Sequence, residues 1–430
     1  MKNIFENVPI IDKKDLGRYN CGDGSEMRIF ENCSKVDYDI QCKLLEQNGY
    51  SVFCETEIKD NHHRTYIADK SVNVYFCKSE NKLRVIADPA VPDFDPDRKS
   101  YPQKSDSTLW QFEVDHSLID CGMCYIIRCC DGSFFVIDAP HIYSVNDDVR
   151  IIDFLTKLAG GKPHVAAWFF SHAHDDHIAK FTDIIEFHKN EIDIDAVYCN
   201  FPSLEYEKIY GWNEALVGTL RRFETALDSR PDIKRIKLHT GQRFFIRNLE
   251  ITVLCTHEDI FPNTLENFNN TSTALMILAQ GTKILFPGDC ADESDKVLVG
   301  RYGDYLKCDI VQVSHHGHYG TSPEFYRLAN AECALFAITQ IKFDEELPKQ
   351  EANRVAVSLA KEYYIASNGT VEIPLPYVFG NQTVYPDETF EDFNGIFNLW
   401  TYEYTCERKQ QLYNDFIRRK GESKNVKNKN

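Results

Sequence analysis

Three histidines and two aspartates lie within six residues of one another, at positions 172–177. Residues 171–177 read Ser-His-Ala-His-Asp-Asp-His and directly follow the apolar run 165–170. Neutral imidazole and carboxylate are the groups that zinc and similar divalent metals prefer as ligands. An exposed loop with Asp175 or Asp176 as a helix N-cap would explain one aspartate, but not three of the fourteen histidines. The spacing therefore predicts a metal site.

Two later segments also place polar side chains at the end of an apolar run. In residues 309–322, a strand-like run is followed by His315 and His316, and His318 comes after a glycine. The similarity of this layout to the first cluster favours a second group of metal ligands over a surface loop. In residues 284–290 a glycine turn places Asp289 at a strand end, where its carboxylate could bridge two cations. A Gly-Asp pair by itself is more often a simple turn.

The elements that must position these residues begin near residue 108. Two strands at 124–129 and 134–137 are joined by a Cys-Asp-Gly-Ser turn. A helix is predicted at 147–159, with apolar residues on one face and Gly160-Gly161 after its end. The continuous run 165–170 indicates a strand buried on both faces. Strands and helices mixed at this density indicate a layered α/β arrangement.

The two ends of the chain differ from this pattern. A predicted helix at 38–47 followed by several short strands indicates a small α+β unit of unknown role over residues 1–107. The charged, proline-rich stretch 88–107 marks its boundary. Residues 377–430 are predicted to form an aromatic extension that packs on the body and ends in a solvated basic tail. A weak polyanion-binding arm is the less favoured interpretation of that tail.

Composition limits the possible partners. The chain has 430 residues, of which 43% are apolar and 27% charged, as in ordinary globular proteins. Its 66 acidic and 48 basic residues give a formal charge of −18, which repels a long nucleic acid. No stretch is predicted to span a membrane, and no signal peptide is recognised. The sequence leaves the oligomeric state open.

The cysteines indicate a reducing compartment. There are fifteen, an odd number, and many lie in apolar runs, as Cys255 and Cys333 do. Buried free thiols behave as small apolar side chains, so we expect a cytoplasmic protein without a disulfide framework. Cys121 and Cys124 are interpreted as strand and turn thiols, with a redox or zinc pair as the less favoured alternative.

Taken together, these segments resemble the metallo-β-lactamase fold hydrolases. The family's His-x-His-x-Asp-His signature is complete at 172–177, its strand-end aspartate matches Asp289, and its last metal histidine matches the pair 315–316. Residues 135–139, Phe-Val-Ile-Asp-Ala, look like the family's opening strand and structural aspartate. The resemblance covers roughly residues 110–376. It implies a four-layer αββα sandwich of α/β class over residues 108–376, with the N-terminal α+β unit added.

Within the family, the chain looks most similar to the hydrolase domain of bacterial DNA-uptake competence proteins. The shared features are His-His-Gly at 315–317 with Thr-Ser at 321–322, Asn-Asn-Thr-Ser at 269–272, and the spacing of both to Gly288-Asp289. That branch usually has serine after His-His-Gly. This chain has His318 there, so its phosphate handling in this loop is expected to differ.

The resemblance implies two divalent metal ions, zinc first with manganese or iron as options, that share a bridging hydroxide. The first ion would be held by His172, His174 and the candidate His257, which follows a strand and fills a position that close relatives often lack. The second would be held by Asp176 and His177 with either His315 or His316, and Asp289 would bridge. The predicted catalytic residues are Asp176 and His318, the latter, or Tyr319, as a proton donor to the leaving group.

The resemblance to the competence branch implies hydrolysis of a phosphoester or phosphodiester, and the acidity of the chain favours a small, nucleotide-like or choline-phosphate-type molecule as its substrate. Hydrolysis of a carboxylic ester, lactone or thioester is the first alternative, because one fold hosts many reactions. A non-catalytic metal-binding interaction protein is the second. A redox di-iron role ranks last, since no flavin-binding glycine loop is evident.

Overall fold

The computed structural model describes residues 3–116, 119–144, 146–203 and 214–387. The first strands are β1 (Asp15–Asn20), β2 (Glu26–Phe30), β3 (Ser51–Ile58), β4 (Asn61–Ile67), β5 (Ser71–Cys77) and β6 (Lys82–Asp88). They form one antiparallel sheet in the order β1-β2-β6-β5-β4-β3, which we call the N-terminal sheet.

The remaining strands form two sheets of what we call the layered body, residues 108–387. The strands are β7 (Thr108–Gln111), β8 (Tyr125–Arg128), β9 (Phe134–Ile137), β10 (His164–Phe169), β11 (Asp193–Ile194), β12 (Ala196–Cys199), β13 (Lys234–Lys237), β14 (Arg243–Ile246), β15 (Leu249–Cys255), β16 (Ala274–Ala279), β17 (Thr282–Phe286), β18 (Ile310–Gln312), β19 (Cys333–Phe336), β20 (Glu362–Ile365), β21 (Thr370–Pro374) and β22 (Thr383–Tyr385). One sheet runs β13-β12-β10-β9-β8-β7-β21-β22, with β11 beside β10. The other runs from β14 to β20 in sequence order.

Helices connect the strands and cover the outer faces of both sheets. They are α1 (Lys35–Gln47), α2 (Asp147–Ala159), α3 (Asp175–Phe187), α4 (Glu214–Asp228), α5 (Asp292–Tyr302), α6 (Pro323–Ala329), α7 (Gln340–Glu346) and α8 (Glu351–Leu359). Short 3-10 turns occur at His257–Asp259, Phe268–Thr271, Gly303–Leu306, Ser314–Gly317 and Ala366–Asn368. Among the described helices, none combines the length and apolar character that crossing a membrane requires.

The apolar side chains show the layering. Phe135 of β9 and Ile251 of β15 lie in one core between the two sheets of the layered body. The next residue on β9, Val136, points to the opposite face and packs with Phe181 of α3. Leu285 of β17 belongs to a third core under α5 and α6. Two facing sheets with helices outside each form a four-layer αββα sandwich, which confirms the predicted fold class.

The N-terminal sheet is covered differently on its two faces. Helix α1 packs on one face, where Leu45 and Tyr66 are fully buried. The other face lies against the layered body, and Phe261 from the loop after β15 packs with Met27 and Ile86. The division of the chain at residue 107 stays a proposal. The predicted C-terminal extension starts at 377, but β22 within it pairs with β21 and widens the first sheet of the layered body.

Several predicted elements are observed close to their predicted bounds. The helix predicted at 147–159 is α2, with Gly160 in the left-handed conformation at its end. The buried run predicted at 165–170 is β10, which has parallel partners on both sides. The sequence pattern does not predict β1 and β2, because β1 alternates half-buried with exposed residues and is ordered by long-range pairing. The aromatic and basic residues beyond 387 lie outside the described residues.

Candidate metal centre

The candidate metal centre lies where the two sheets of the layered body end side by side. Strands β9 and β10 are parallel neighbours in one sheet, and β17 and β18 are parallel neighbours in the other. The carboxyl ends of parallel strands meet at one edge of a sheet. Asp138 and residues 171–177 therefore leave one sheet beside Asp289 and His316, which leave the other.

Asp138 is the buried support of the first segment. Its Oδ1 accepts the Ser171 backbone N–H at 2.7 Å, and its Oδ2 accepts the Ser171 hydroxyl at 2.8 Å. The same Oδ2 lies 2.9 Å from Nδ1 of His177. A carboxylate that accepts the Nδ1 proton fixes the ring and leaves the Nε2 lone pair free to face a metal. Asp138 thus orients His177 without joining the ligand set itself.

Four buried side chains converge at this edge: Asp176, His177, Asp289 and His316. One ligand atom from each lies within 4.8 Å of all the others. Oδ2 of Asp289 is 3.2 Å from Nε2 of His177 and 3.4 Å from Nε2 of His316. Oδ2 of Asp176 is 3.0 Å from Nε2 of His316 and 3.6 Å from Nε2 of His177. The lone pairs of four potential ligands therefore face one point.

The turn before Asp289 lets the two sheets approach. Gly288 has a φ of 60°, and a Cβ there would lie only 2.8 Å from the Cβ of Ser171. Only glycine tolerates both the left-handed backbone and this close contact. The Asp289 backbone N–H donates to the Ser272 hydroxyl at 3.0 Å, which fixes the carboxylate after the turn.

The structure separates the roles of the adjacent histidines His315 and His316. Both have left-handed backbones, with φ of 50° and 57°, a conformation that costs about 1–3 kcal/mol per non-glycine residue. His316 turns inward, and its Nδ1 donates to the Ala337 carbonyl at 2.9 Å, which leaves Nε2 for the cluster. His315 turns toward the rim, where it contacts the Tyr319 carbonyl and the Asn269 amide. Of this pair, the structure brings His316 into the cluster.

His172 and His174 form a second pair of potential ligands beside the first group. Nε2 of His172 is 3.0 Å from Nδ1 of His174 and 3.8 Å from Oδ2 of Asp289. Nδ1 of His172 lies 3.1 Å from the Ser171 hydroxyl oxygen, which can accept its proton. Asp289 therefore stands between the two groups, as a bridging carboxylate would.

The electrostatics of the cluster favour positive charge. Burial opposes protonation of His177, but Asp289, Asp176 and Asp138 outweigh it and raise its pKa well above the ordinary value. The same competition raises the pKa of His316 to about 10. Burial also opposes charge on Asp289, yet the neighbouring histidines hold its pKa well below the usual range. A bound cation would supply this positive charge in place of the protons.

The donor set fits a divalent transition metal. Two ligands on a tetrahedral zinc, with bonds of about 2.0–2.1 Å, lie roughly 3.3 Å apart. The four cross-distances in the cluster range from 3.0 to 3.6 Å. Oδ1 of Asp289 is buried and has no hydrogen-bond partner among the described residues. A buried acceptor without a donor indicates a missing ligand.

The structure does not bring His257 into this cluster. His257 begins a short 3-10 turn after β15, and its ring contacts Phe261. Burial lowers the pKa of His257 to about 4, and the charged groups that act on it are Glu258, Lys237 and His239, none of which belongs to the cluster. The capping box of Thr256 and Asp259 closes this turn on the side of the N-terminal sheet. His257 is therefore left out of the ligand set that we propose below.

His318, the predicted proton donor, is half-buried at the rim. Its ring centre lies 5.5 Å from that of His315 and 6.5 Å from that of His316. Burial and the two neighbouring histidines lower the pKa of His318 to about 4, so its ring is neutral near pH 7. Its catalytic role, like that of Asp176, stays a prediction.

Two groups near the cluster are not among the predicted site residues. Sγ of Cys121 lies 3.7 Å from Oδ2 of Asp176, and Nε2 of His141 lies 3.6 Å from Oδ2 of Asp175. The sequence signal for Cys121 is a Cys-Gly step before β8, which is common in turns. The signal for His141 is its position three residues after Asp138. Neither is specific enough to predict the contact.

Comparison with known proteins gives structural matches only. No protein family model matches the sequence, and no curated protein matches it by sequence. The metallo-beta-lactamase fold protein YhfI from Bacillus subtilis matches with 13% identity and a TM-score of 0.38, over 61% of this chain and 97% of YhfI. Unliganded yeast PDE1 matches with 14% identity and a TM-score of 0.39, over 60% of this chain and 97% of PDE1.

Zn(2+)-bound PqqB from Methylobacterium extorquens matches with 10% identity and a TM-score of 0.31, over 48% of this chain and 72% of PqqB. At this level of identity and TM-score, the matches assign no reaction, metal or substrate to the chain. The similarity to the competence proteins stays a prediction. The structure itself shows a four-layer αββα sandwich with a buried His/Asp cluster that can hold metal.

Proposed function

We propose that this protein is a metal-dependent hydrolase of a small phosphoester or phosphodiester. The observation that carries the proposal is the buried group Asp176, His177, Asp289 and His316, with ligand atoms within 4.8 Å of one another. His172 and His174 adjoin this group at Asp289, so that two cations would share that carboxylate. A set of imidazole and carboxylate ligands favours zinc, with manganese or iron as alternatives.

The chain's own contribution is to hold the ligand atoms and to exclude water. When bound, two divalent cations activate water near neutral pH and stabilise negative charge that develops on the substrate. Asp138 and the Ala337 carbonyl take the Nδ1 protons of His177 and His316, and thereby keep each Nε2 directed at the cluster. All four groups are buried, which strengthens their electrostatic interactions.

The substrate class is proposed from the rim and from the charge of the chain. The ring of His318 and the second amide N–H of Asn269 lie beside the cluster and suit phosphoryl oxygens. The net charge of −18 disfavours long polyanions, so the substrate we propose is small, and no membrane is required. We extend the proposal to a reducing, cytoplasmic location, since the described cysteines are all free thiols.

Metal analysis combined with a substrate panel tests this function. The purified full-length chain is analysed by mass spectrometry for bound metal. It is then assayed with bis-(p-nitrophenyl) phosphate, p-nitrophenyl phosphate, a lactone and a thioester. We expect about two metal ions per chain and the highest kcat/KM on one of the two phosphate esters. Faster turnover of the lactone or thioester would overturn the substrate class. Bound metal without turnover of any ester would favour a non-catalytic role.

A further inference from the structure

A cavity of about 290 Å³ lies at the junction of the N-terminal sheet and the layered body. Its walls are the turn and strand at residues 79–84, the loop at residues 259–263, and one side of α5. We call it the junction cavity. Its volume is at the small end of the range for ligand sites, roughly 300–1,000 Å³. None of the proposed metal ligands lines it.

Two buried arginines, Arg84 and Arg301, form part of its wall. Each side chain is only 1% exposed. Both arginines bind Glu80, Arg84 through Nη2 at 2.7 Å and Arg301 through Nε. Nη1 of Arg301 also binds Oδ1 of Asp259 at 2.6 Å. This ion-pair network joins the N-terminal sheet to α5.

Every carboxylate oxygen in the cavity wall already accepts from a donor of the protein. Both oxygens of Glu80 are bound by the two arginines. The second oxygen of Asp259 accepts the backbone N–H of Thr256 at 3.0 Å. Glu293 accepts Lys296 at 2.9 Å with one oxygen and Asn263 at 3.1 Å with the other. None of these three acids has an oxygen left without a donor.

The donors, by contrast, are in excess. Nε and Nη1 of Arg84 and Nη2 of Arg301 are buried and have no acceptor. Among the described residues, Lys82 has no ion-pair partner. The wall thus carries four cationic side chains (Lys82, Arg84, Lys296, Arg301) and three anionic ones (Glu80, Asp259, Glu293), a net charge of +1 in a chain of net charge −18.

We infer that the junction cavity binds a small anion of the phosphomonoester class. Lys82 and Lys296 line the cavity, and Lys296 is paired, within the described part of the chain, only with Glu293, at 2.9 Å, so both ammonium groups can contact a ligand directly. The arginine nitrogens are themselves covered by protein, but their unpaired N–H groups add a positive potential behind the cavity. A compact dianion with several acceptor oxygens matches this excess of donors. A neutral ligand would not neutralise the positive charge of the wall.

The position of the cavity connects it to the metal centre. Helix α5 starts at Asp292, three residues after Asp289, and it supplies Glu293, Lys296 and Arg301 to the cavity wall. A bound anion would therefore bring together the N-terminal sheet and the helix that follows the proposed bridging carboxylate. The inference holds independently of which reaction the metal centre catalyses.

Calorimetric titration of the full chain, both metal-loaded and as Asp289→Asn, tests the inference. The Asp289→Asn protein isolates the junction cavity, because the proposed metal centre would itself bind or hydrolyse a phosphoester. The probes are inorganic phosphate, adenosine 5′-monophosphate, and adenosine as the uncharged control. We expect saturable binding of at least one phosphate probe and none of adenosine. The double substitution Lys82→Gln with Lys296→Gln should weaken that binding by about tenfold or more, because two charged contacts are lost. Lys296 is exposed and Lys82 is half-buried, and an unchanged unfolding midpoint verifies folding.

Two further variants locate the binding. Lys78→Gln removes an exposed lysine of the same turn that pairs with Asp60 and does not line the cavity, so it should leave the affinity unchanged. Asp289→Asn disables the metal centre and should keep the binding at the junction cavity. Absence of phosphate binding to Asp289→Asn overturns the inference. So does binding to Asp289→Asn that survives the double lysine substitution.

Discussion

The metal centre and the junction cavity are both buried clusters of charged side chains, yet their hydrogen bonding is opposite. At the metal centre, imidazole nitrogens and carboxylate oxygens face one another, and Oδ1 of Asp289 has no donor. At the junction every carboxylate oxygen of Glu80, Asp259 and Glu293 is bound, and arginine N–H groups are left over. A bound cation would satisfy the unmet acceptor at the metal centre, and a bound anion would answer the unmet donors at the junction.

Burial of charge does not by itself mark a functional site. Both regions show strong shifts in pKa, because both combine desolvation with close charges of opposite sign. The two regions differ in which groups lack a partner: an acceptor oxygen at the metal centre, and N–H donors at the junction. Asp289→Asn tests the metal centre through its bound metal, and Arg301→Ala tests the junction through the stability of the metal-free protein.

Removing the shared carboxylate of the metal centre should have the largest effect. We expect Asp289→Asn to lose bound metal and to lower kcat/KM by about 1000-fold or more, because charge stabilisation at the reacting atoms disappears. The substitution is nearly isosteric, and the unfolding midpoint of the metal-free variant verifies that it folds. His164→Gln is the matched control, since His164 is 43% exposed and pairs with Asp195 at the far end of β10. Retained metal and activity in Asp289→Asn would refute the ligand assignment.

Breaking the junction network should instead reduce stability. Arg301→Ala leaves Glu80 and Asp259 without their shared cation, and removing one partner of a buried pair costs about 3–5 kcal/mol. Urea unfolding of the metal-free protein measures this loss. Asp304→Asn is the control, because its pair with Lys59 is exposed to solvent and its loss should leave the stability nearly unchanged. A variant that unfolds like the wild type would show that the network adds no stability.

The pH dependence of stability isolates a third buried group, His239. Its ring lies between Glu258, at 2.9 Å, and Asp88 of the N-terminal sheet, at 3.1 Å. Burial opposes protonation, but the two carboxylates outweigh it and raise the pKa of His239 from 6.5 to about 9. Because the folded state binds the proton more tightly, the stabilisation is complete below pH 6.5 and is lost as the pH rises through about 9.

Unfolding free energies measured from pH 6 to pH 9.5 in the wild type and in His239→Gln test this expectation. The wild type should lose on the order of 3 kcal/mol more than the variant over this range, since one pKa unit corresponds to about 1.4 kcal/mol. Parallel curves for the two proteins would contradict the proposed imidazolium between Asp88 and Glu258.

The smallest effect is expected at His257. Because its ring packs on Phe261 and faces no member of the cluster, His257→Gln should leave both the metal content and the kcat/KM unchanged. The number of metal ions per chain in the purified variant tests this expectation. Loss of one ion would show that His257 is a metal ligand and that the turn at His257 moves when metal binds.

The local part of the site follows directly from the sequence. His172, His174, Asp176 and His177 lie in one strand-loop-helix segment, so their spacing already places them within reach of one point. The layered fold was predictable for a related reason: runs such as β10 and turns such as the one at Gly160 are local patterns. The N-terminal strands β1 and β2 were not predictable in this way, because distant residues order them.

By itself, the sequence determined the kinds of ligand available, the segment that supplies most of them, and the strand ends from which Asp289 and the histidine pair would come. Only the tertiary structure decided that His316 turns inward while His315 does not, that His257 packs on Phe261, and that Cys121 and His141 come close to the cluster. These outcomes depend on backbone conformation in turns and on contacts between separate sheets. The spacing of residues along the chain does not predict such contacts, because they form only when the layers pack together.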